Sequence, residues 1–209
     1  IESLQEIADK KMPTYIATSA HTSFYPWLKA KYGFTDDMIR PYTFSVAPFL
    51  ADKGIVQQGY VTSEPYAIEQ GGVKPSVFLM ADYGYPPYAE TIETTQKMLK
   101  KDPELVKKFV QATMEGWASY FKDPAPGNKL IKEDNPEMTD EQLAFSIATL
   151  KEYGLVTGGD AAEKGIGVMT DERWNQLYTL MKDEGLLTKD INVKDVYTLD
   201  YLPAEPVLP

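Results

Sequence analysis

The sequence contains no cysteine and a single histidine, His21. Without cysteine, the chain forms no disulfide, thiolate nucleophile or zinc–thiolate site. One histidine also excludes a multi-histidine metal site within this chain. The lack of cysteine does not identify the compartment, because a reducing cytosol and an exported protein that avoids thiols both permit it. We further expect no metal site and no resident cofactor.

Positive charge and long apolar runs are also scarce. The chain has 21 Lys and Arg against 31 Asp and Glu, which gives a formal net charge of −10. Because a phosphate backbone needs clustered Lys and Arg, nucleic acid is not expected as a partner. The longest clearly apolar run, residues 77–81, is too short to span a bilayer, so this chain is not expected to insert into a membrane.

The length of 209 residues is enough for one large domain or two small lobes with a real core. The chain begins at Ile1 without an initiator methionine, so we interpret it as a mature or truncated piece.

The first part of the sequence alternates short strand-like and helix-like segments. Strands are predicted at residues 14–18, 42–46, 57–62 and 76–81, and helices at 24–32, 48–52 and 65–70. Gly33, Gly54 and Gly71 follow the three helices as stop signals. Strands that alternate with helices indicate βαβ units around a mostly parallel sheet, which is an α/β fold.

The second part is mainly helical. Asp102 followed by Pro103, Thr139 and Thr170 each mark a helix start. The apolar stripes that follow are interpreted as core. The stripe of the first of these helices comprises Leu105, Val106, Phe109, Val110, Thr113, Trp117 and Tyr120. Residues 123–127 and 154–167 are predicted to be turn-rich connectors.

Residues 83–88 lie where the two patterns meet and contain three tyrosines and two prolines. Pro86 and Pro87 cannot continue a helix or sit in a central strand. We interpret this segment as a crossover between two lobes, with a surface loop carrying ordinary tyrosines as the alternative.

No catalytic constellation is evident. A Ser-His-Asp triad would have to use His21, and the adjacent Ser19 and Ser23 do not supply a separated nucleophile, base and orienting group. The sequence has no G-x-S-x-G elbow and no P-loop. We therefore predict a binding protein with no catalytic residue.

Two strand-to-helix turns are better candidates for a site. Ser19, His21 and Thr22 precede one helix, and Ser63 and Glu64 precede another. Backbone N–H groups at a helix start lack intrahelical partners and attract anions or polar ring edges. Ser19 or Thr22 could equally cap its helix, and Glu64 could be a helix-start acid or accept a hydrogen bond from a ligand N–H.

Several segments in order resemble one family. FLADKGIVQQGYVTSEP (residues 49–65) resembles the helix–Gly–strand–E-P unit of the thiamine-precursor, nitrate and sulfonate (taurine) group of ABC importer substrate-binding proteins. SLQEIADKK (3–11), YPWLKAKYGF (25–34) and KDPELVKKFV (101–110) are similar to further motifs of that family. The resemblance covers essentially the whole chain.

The resemblance implies a type II periplasmic binding fold, in which crossover segments join two lobes made of a mostly parallel sheet and flanking helices. Residues 1–82 would form the ligand-binding lobe two, 83–88 the crossover and 89–209 the helical C-terminal part of lobe one. Family members begin with a further segment, so the N-terminal part of lobe one is expected to be absent. A complete cleft then could not form from this chain alone.

The resemblance also implies the site and the partners. The ligand contacts carried over from the family fall on Ser19, Ala20, His21, Thr22, Ser63, Glu64, Tyr83 and Tyr85, with Tyr88 also considered. The expected partners are a small molecule and the transmembrane subunits of an ABC permease. The expected location is periplasmic or otherwise extracytoplasmic. A lipid anchor on the N-terminal segment that is expected to be absent is one of the options considered.

The expected ligand is a heterocyclic vitamin precursor such as a pyrimidine, or a related nutrient, because aromatic residues near the crossover suit a flat ring. Two alternatives stay open. One is a pyrimidine-synthesis enzyme of the same fold, in which His21 would be the reactive histidine. The other is a ligand-sensing domain.

Overall fold

Helices dominate the chain, and three short strands lie in its first third. A computed structural model describes residues 1–209. The helices and strands are, in order, α1 (Leu4–Asp9), β1 (Thr14–Ile16), α2 (Phe24–Tyr32), β2 (Ile39–Pro41), α3 (Ala47–Ala51), β3 (Val56–Gln57), α4 (Glu64–Gln70), α5 (Gln96–Lys101), α6 (Pro103–Lys122), α7 (Ala125–Asp134), α8 (Asp140–Glu152), α9 (Ala161–Lys164) and α10 (Asp171–Asp183). Short 3₁₀ helices cover Thr18–Thr22, Asp36–Met38, Met80–Tyr83 and Val193–Asp195.

The three strands form one parallel sheet in the order β2-β1-β3. Thr14 of β1 aligns with Ile39 of β2 on one side and with Val56 of β3 on the other. Helix α2 connects β1 to β2, and α3 connects β2 to β3. The predicted α/β class with a parallel sheet and flanking helices is therefore confirmed, and this helix-rich arrangement is consistent with a type II periplasmic binding fold.

Local sequence signals account for the helix boundaries. Gly33 ends α2 in the left-handed region at φ 79°, where glycine has no side chain to clash. The Asp102 carboxylate accepts from the Leu105 N–H at 3.0 Å and caps α6, with Pro103 in the first turn. The Thr139 hydroxyl caps α8 in the same way, at 3.1 Å from the Gln142 N–H. These predicted helix starts are confirmed.

The chain divides into two compact units. The first unit comprises residues 1–86 and 176–190, and the second comprises 87–175 and 191–209. The boundary between Pro86 and Pro87 lies inside the segment interpreted as a crossover. The sequence patterns did not indicate that residues 176–190 belong to the first unit.

The first unit has a core of ten buried residues around β1 and α2. Ile7 and Tyr25 are each 1% exposed and Ile16 is 2% exposed. The Tyr25 hydroxyl, inside this apolar core, donates to the Thr35 carbonyl at 2.7 Å. The polar end of the ring is therefore satisfied where water is excluded. Burial, followed by the charges of Asp36 and Asp37, raises the pKa of Tyr25 to about 12.

The second unit has a smaller core. Val110 and Met114 of α6 pack with Ile166. Leu105 and Phe109, on the same predicted apolar stripe, are 51% and 59% exposed. The interpretation of that whole stripe as core is therefore wrong for these two residues. Periodicity identifies an apolar face, but burial also requires another element to cover it. No helix is both long and apolar enough to cross a membrane.

Two of the predicted strands are wrong. The segment predicted at 42–46 is not a strand, since β2 precedes it at Ile39–Pro41 and Phe44 has φ 59°. Residues 76–81 pair with no strand and lead into the 3₁₀ helix Met80–Tyr83. A strand needs a hydrogen-bonded partner, which composition alone does not supply.

Three further boundaries differ from the prediction. The strand predicted at 57–62 is only Val56–Gln57. The predicted connector 123–127 contains the start of α7, where the Asp123 side chain accepts from the Ala125 N–H at 3.1 Å. The connector 154–167 contains the short helix α9. Proline is compatible with the first turn of a helix, so the proline in the first turn of α7 did not mark an irregular loop.

Candidate functional site

The carboxyl ends of the three parallel strands meet at one edge of the sheet, where ligands bind in open α/β folds. Three hydrogen bonds fix the residues that follow the strands. The Ala17 N–H donates to the Gln58 side-chain oxygen at 2.9 Å, and the Tyr42 N–H donates to the Ile16 carbonyl at 3.0 Å. The Gln58 N–H donates to the Tyr15 carbonyl at 2.8 Å. This carboxyl edge is therefore preorganised.

The predicted contact residues after β1 lie in the 3₁₀ helix Thr18–Thr22. Ala20 is 1% exposed, so its methyl group is part of the core, whereas Ser19, His21 and Thr22 are exposed. The Ser19 carbonyl accepts from the Ser23 hydroxyl at 3.0 Å. No side chain caps the start of α2 at Ser23. The hydroxyls of Ser19 and Thr22 therefore do not cap that helix.

His21 lines a cavity of about 500 Å³ within the first unit. Lys29 and Asp36 also line it, and the Lys29 ammonium donates to the Asp36 carboxylate at 2.8 Å. The other lining residues are Tyr25, Pro26, Ala30, Ile39, Glu184 and Leu186. The structure thus places His21 in a cavity with groups of α2 and of the segment after α10, and not with Ser63 or Glu64.

Glu64 connects the loops after β2 and β3. One of its carboxylate oxygens accepts from the Tyr42 hydroxyl at 2.8 Å, and the other accepts from the Tyr60 N–H at 2.7 Å. Burial, followed by the hydrogen bond and charge of Glu64, raises the pKa of Tyr42. A Cβ atom at Gly59 would lie 2.9 Å from the Glu64 Cβ, so glycine is required at this close approach. Both oxygens of Glu64 thus already accept hydrogen bonds from the protein.

Ser63 precedes α4 and is exposed, and its side chain does not cap that helix. Its N–H instead donates to the Tyr60 carbonyl at 3.0 Å. Of the predicted residues, Ser63 and Glu64 therefore lie together beside Tyr60.

Sequence reasoning missed two aromatic residues at this edge. Phe44, soon after β2, is 73% exposed, and Tyr60, soon after β3, is 59% exposed. The Phe44 ring lies against the ring of Tyr42, with centroids 5.1 Å apart. The sequence carried no signal for them, because both were predicted to lie inside strands, at 42–46 and 57–62, whereas the strands end at Pro41 and Gln57.

Tyr83 and Tyr85 pack on α2. The Tyr83 ring lies edge-on to Tyr32 at 6.5 Å, and its carbonyl accepts from the Lys31 ammonium. The Tyr85 ring contacts Trp27, with centroids 5.2 Å apart, and burial raises the pKa of Tyr85. These two rings are therefore half-buried against the core of the first unit.

The second unit has an aromatic cluster of its own. The Arg173 guanidinium lies 4.1 Å from the centre of the Tyr88 ring, and the Tyr88 hydroxyl accepts from the Thr170 N–H at 2.9 Å. Trp174 stacks on Tyr197 with centroids 4.9 Å apart. The indole nitrogen of Trp174 is buried without a hydrogen-bond acceptor. Tyr88 therefore serves as a cation–π platform and hydrogen-bond acceptor within this unit.

Comparison with known proteins identifies the family. The family described as "NMT1/THI5 like" matches residues 1–126, which is more than half of the chain. The riboflavin-binding protein RibY of Chloroflexus aurantiacus is 28% identical over 187 residues, covering 87% of this chain and 53% of that protein. The chain thus spans about half the length of this curated relative. The resemblance inferred from the motifs is confirmed: the chain belongs to the NMT1/THI5-like family.

Proposed function

We propose that this chain is the solute-binding component, or a part of it, of an ABC importer that captures a small heterocyclic nutrient. Family membership and a relative named as a riboflavin-binding protein support a solute-binding role. The observation that carries the proposal is the carboxyl edge of the sheet, where Phe44 and Tyr60 are exposed beside a carboxylate that orders both loops. Exposed rings at an ordered strand end suit capture of a ligand.

In this proposal residues 1–82 are lobe two, 83–88 are the crossover and 89–209 are the C-terminal part of lobe one. The division between Pro86 and Pro87 supports a boundary in the crossover. Ligand would bias a hinge motion toward the closed form, in which the captured nutrient is delivered to a membrane permease outside the cytoplasm.

The proposed contacts follow the geometry of the first unit. Ser19, His21, Thr22 and Ser63 are exposed and contribute side chains, while buried Ala20 contributes only its backbone. Glu64 contributes by holding the loop at Tyr60. Tyr83 and Tyr85 contribute through the faces and hydroxyls that their packing on α2 leaves uncovered.

A thermal-shift screen followed by calorimetry tests the proposal. The probes are riboflavin, the aminopyrimidine precursor of thiamine, taurine and acetamide. A ligand that binds only the folded state stabilises it by about 2.7 kcal/mol at a hundredfold excess over Kd. We expect a saturable shift with riboflavin or the aminopyrimidine.

The enzyme alternative is tested in the same samples. A binding protein returns its ligand chemically unchanged, and His21→Ala does not create or abolish turnover. Turnover of a probe that is lost in His21→Ala, or no shift with any of the four probes, would contradict the proposed function.

A further inference from the structure

Phe44 is the most exposed large apolar side chain of the protein, at 73%, and Tyr60 is 59% exposed. A scattered exposed leucine or valine needs no explanation, but two large exposed aromatic rings at the same edge of a sheet do. Each ring follows a strand of the same parallel sheet, at its carboxyl edge. Their exposure is therefore concentrated where an open α/β sheet receives its ligand.

The backbone of Phe44 adds an independent observation. Its φ of 59° lies in the left-handed region, which costs a bulky L-residue roughly 1–2 kcal/mol. The residue gains no burial in return, because most of its ring faces solvent. Strain of this kind clusters at ligand clamps and active sites. The strained backbone here holds a bare ring beside Tyr42.

One carboxylate is hydrogen-bonded to both of the loops that carry these aromatic residues. Tyr42 is 8% exposed, contacts the Phe44 ring and donates its hydroxyl to Glu64. Glu64 accepts from the Tyr60 N–H through its other oxygen. Glu64 thus links the Tyr42 side chain, against which the Phe44 ring packs, to the backbone of Tyr60. A surface that is ordered before the ligand arrives loses less conformational entropy on binding, which favours affinity.

The chemistry of this surface selects a class of ligand. Exposed ring faces stack on planar aromatic rings in offset or edge-to-face geometry. The negative charge of Glu64, together with the net charge of −10, disfavours sulfonates, nitrate and phosphates.

We infer that Phe44 and Tyr60 form an aromatic surface that holds a planar, neutral or cationic heterocycle by stacking. This inference rests on the proposed function and names the ligand class and the residues that select it.

Flavin fluorescence and calorimetry on the full chain test this inference, with riboflavin and the aminopyrimidine as ring probes and taurine and acetamide as ring-free probes. We expect Phe44→Ala and Tyr60→Ala each to raise the Kd of the ring probe roughly tenfold, as loss of a stacking ring does elsewhere. Tyr60→Phe keeps the ring and is expected to keep the affinity. Phe109→Ala is the matched control, because Phe109 is 59% exposed but lies on α6 of the second unit.

Circular dichroism of each variant verifies that it folds. Equal affinity for the ring probe in the wild type, Phe44→Ala, Tyr60→Ala and Phe109→Ala would overturn the inference that Phe44 and Tyr60 stack on the ligand. The proposal of solute binding would still stand. Binding of taurine or acetamide alone would overturn the ligand class and again leave solute binding intact. Failure to bind any of the four probes would remove the proposed function and this inference together.

Discussion

The two units use apolar residues differently. In the first unit, ten buried residues form a continuous core, and the most exposed aromatic rings lie at the strand ends. In the second unit only three residues form the main buried cluster, while Leu105, Phe109 and Leu130 are more than half exposed along its helices. In the first unit the two large apolar side chains that are more than half exposed thus lie at the candidate site, whereas in the second unit three such side chains lie along helix faces.

The two units therefore contain two kinds of exposed apolar residue. Phe44 is exposed on a strained backbone beside an ordered hydrogen-bond network. Leu105 and Phe109 are exposed on a regular helix with no such network. Only the first arrangement holds a side chain in one place at an energetic cost, so only it is interpreted as a binding feature.

A matched pair of isoleucines gives the largest expected effect. Ile16 lies in the core of the first unit at 2% exposure, and Ile166 lies in the small cluster of the second at 5%. We expect Ile16→Ala to lower the free energy of unfolding by about 2–5 kcal/mol, because it leaves a cavity in a closed core. Ile166→Ala should cost less, since its surroundings can collapse. Urea unfolding measures both, and a larger cost for Ile166→Ala would reverse the comparison.

Removing the Glu64 carboxylate should have an intermediate effect. Glu64→Ala leaves the Tyr42 hydroxyl and the Tyr60 N–H without their acceptor, at a cost of about 1–3 kcal/mol. Glu64→Gln keeps one oxygen and should cost less. The comparison residue is exposed Asp171, which accepts from the Tyr197 hydroxyl in the second unit. Asp171→Ala is expected to cost less than about 1 kcal/mol, and chemical denaturation that ranks it above Glu64→Ala would contradict the account.

Alkaline pH should destabilise the first unit through Tyr25, whose pKa rises from 10.0 to about 12 in the folded protein. Because the folded state holds this proton more tightly, its contribution is complete below pH 10 and is lost as the pH rises towards 12. Tyr25→Phe should therefore lose less stability than the wild type across that range.

Tyr25→Phe should also be about 1 kcal/mol less stable at neutral pH, because it lacks the hydrogen bond to Thr35. Burial also raises the pKa of Tyr120 in the second unit. Tyr120→Phe therefore serves as a control that removes a tyrosine with a raised pKa from the other unit. Unfolding curves at several pH values compare Tyr25→Phe with Tyr120→Phe, and parallel pH profiles for wild type and Tyr25→Phe would refute the role of Tyr25.

The smallest effect is expected on α6. Leu105→Ala should change the free energy of unfolding by less than about 0.5 kcal/mol, because half of the side chain is already exposed. Thermal unfolding measures this change. A loss of several kcal/mol would mean that Leu105 is part of a core after all, and would remove the contrast between the units.

The sequence predicted those features that are encoded locally. Apolar spacing and Gly33 gave α2 its bounds, and Asp102 with Pro103 gave the start of α6. Features that depend on distant partners were missed, such as the absence of a strand at 76–81 and the exposure of Phe109. Strand pairing and helix burial depend on what lies opposite in space.

The candidate site was predicted only in part, again because local features were found and contacts between distant residues were missed. The turns at Ser19 and Ser63 were found because each joins a strand to a helix. Phe44 was overlooked because nothing in the sequence marks a phenylalanine with positive φ, and its segment had the composition of a strand. The bridge from Tyr42 through Glu64 to Tyr60 joins residues on separate loops, which only the fold brings together.

Hydrogen exchange with and without a bound ring probe tests the central claim most directly. The measurement follows amide protection along the chain at saturating riboflavin or aminopyrimidine. We predict slower exchange at residues 17–23, 42–45 and 58–64, which surround the carboxyl edge of the sheet. Protection confined to the second unit, or unchanged exchange at that edge, would contradict the account.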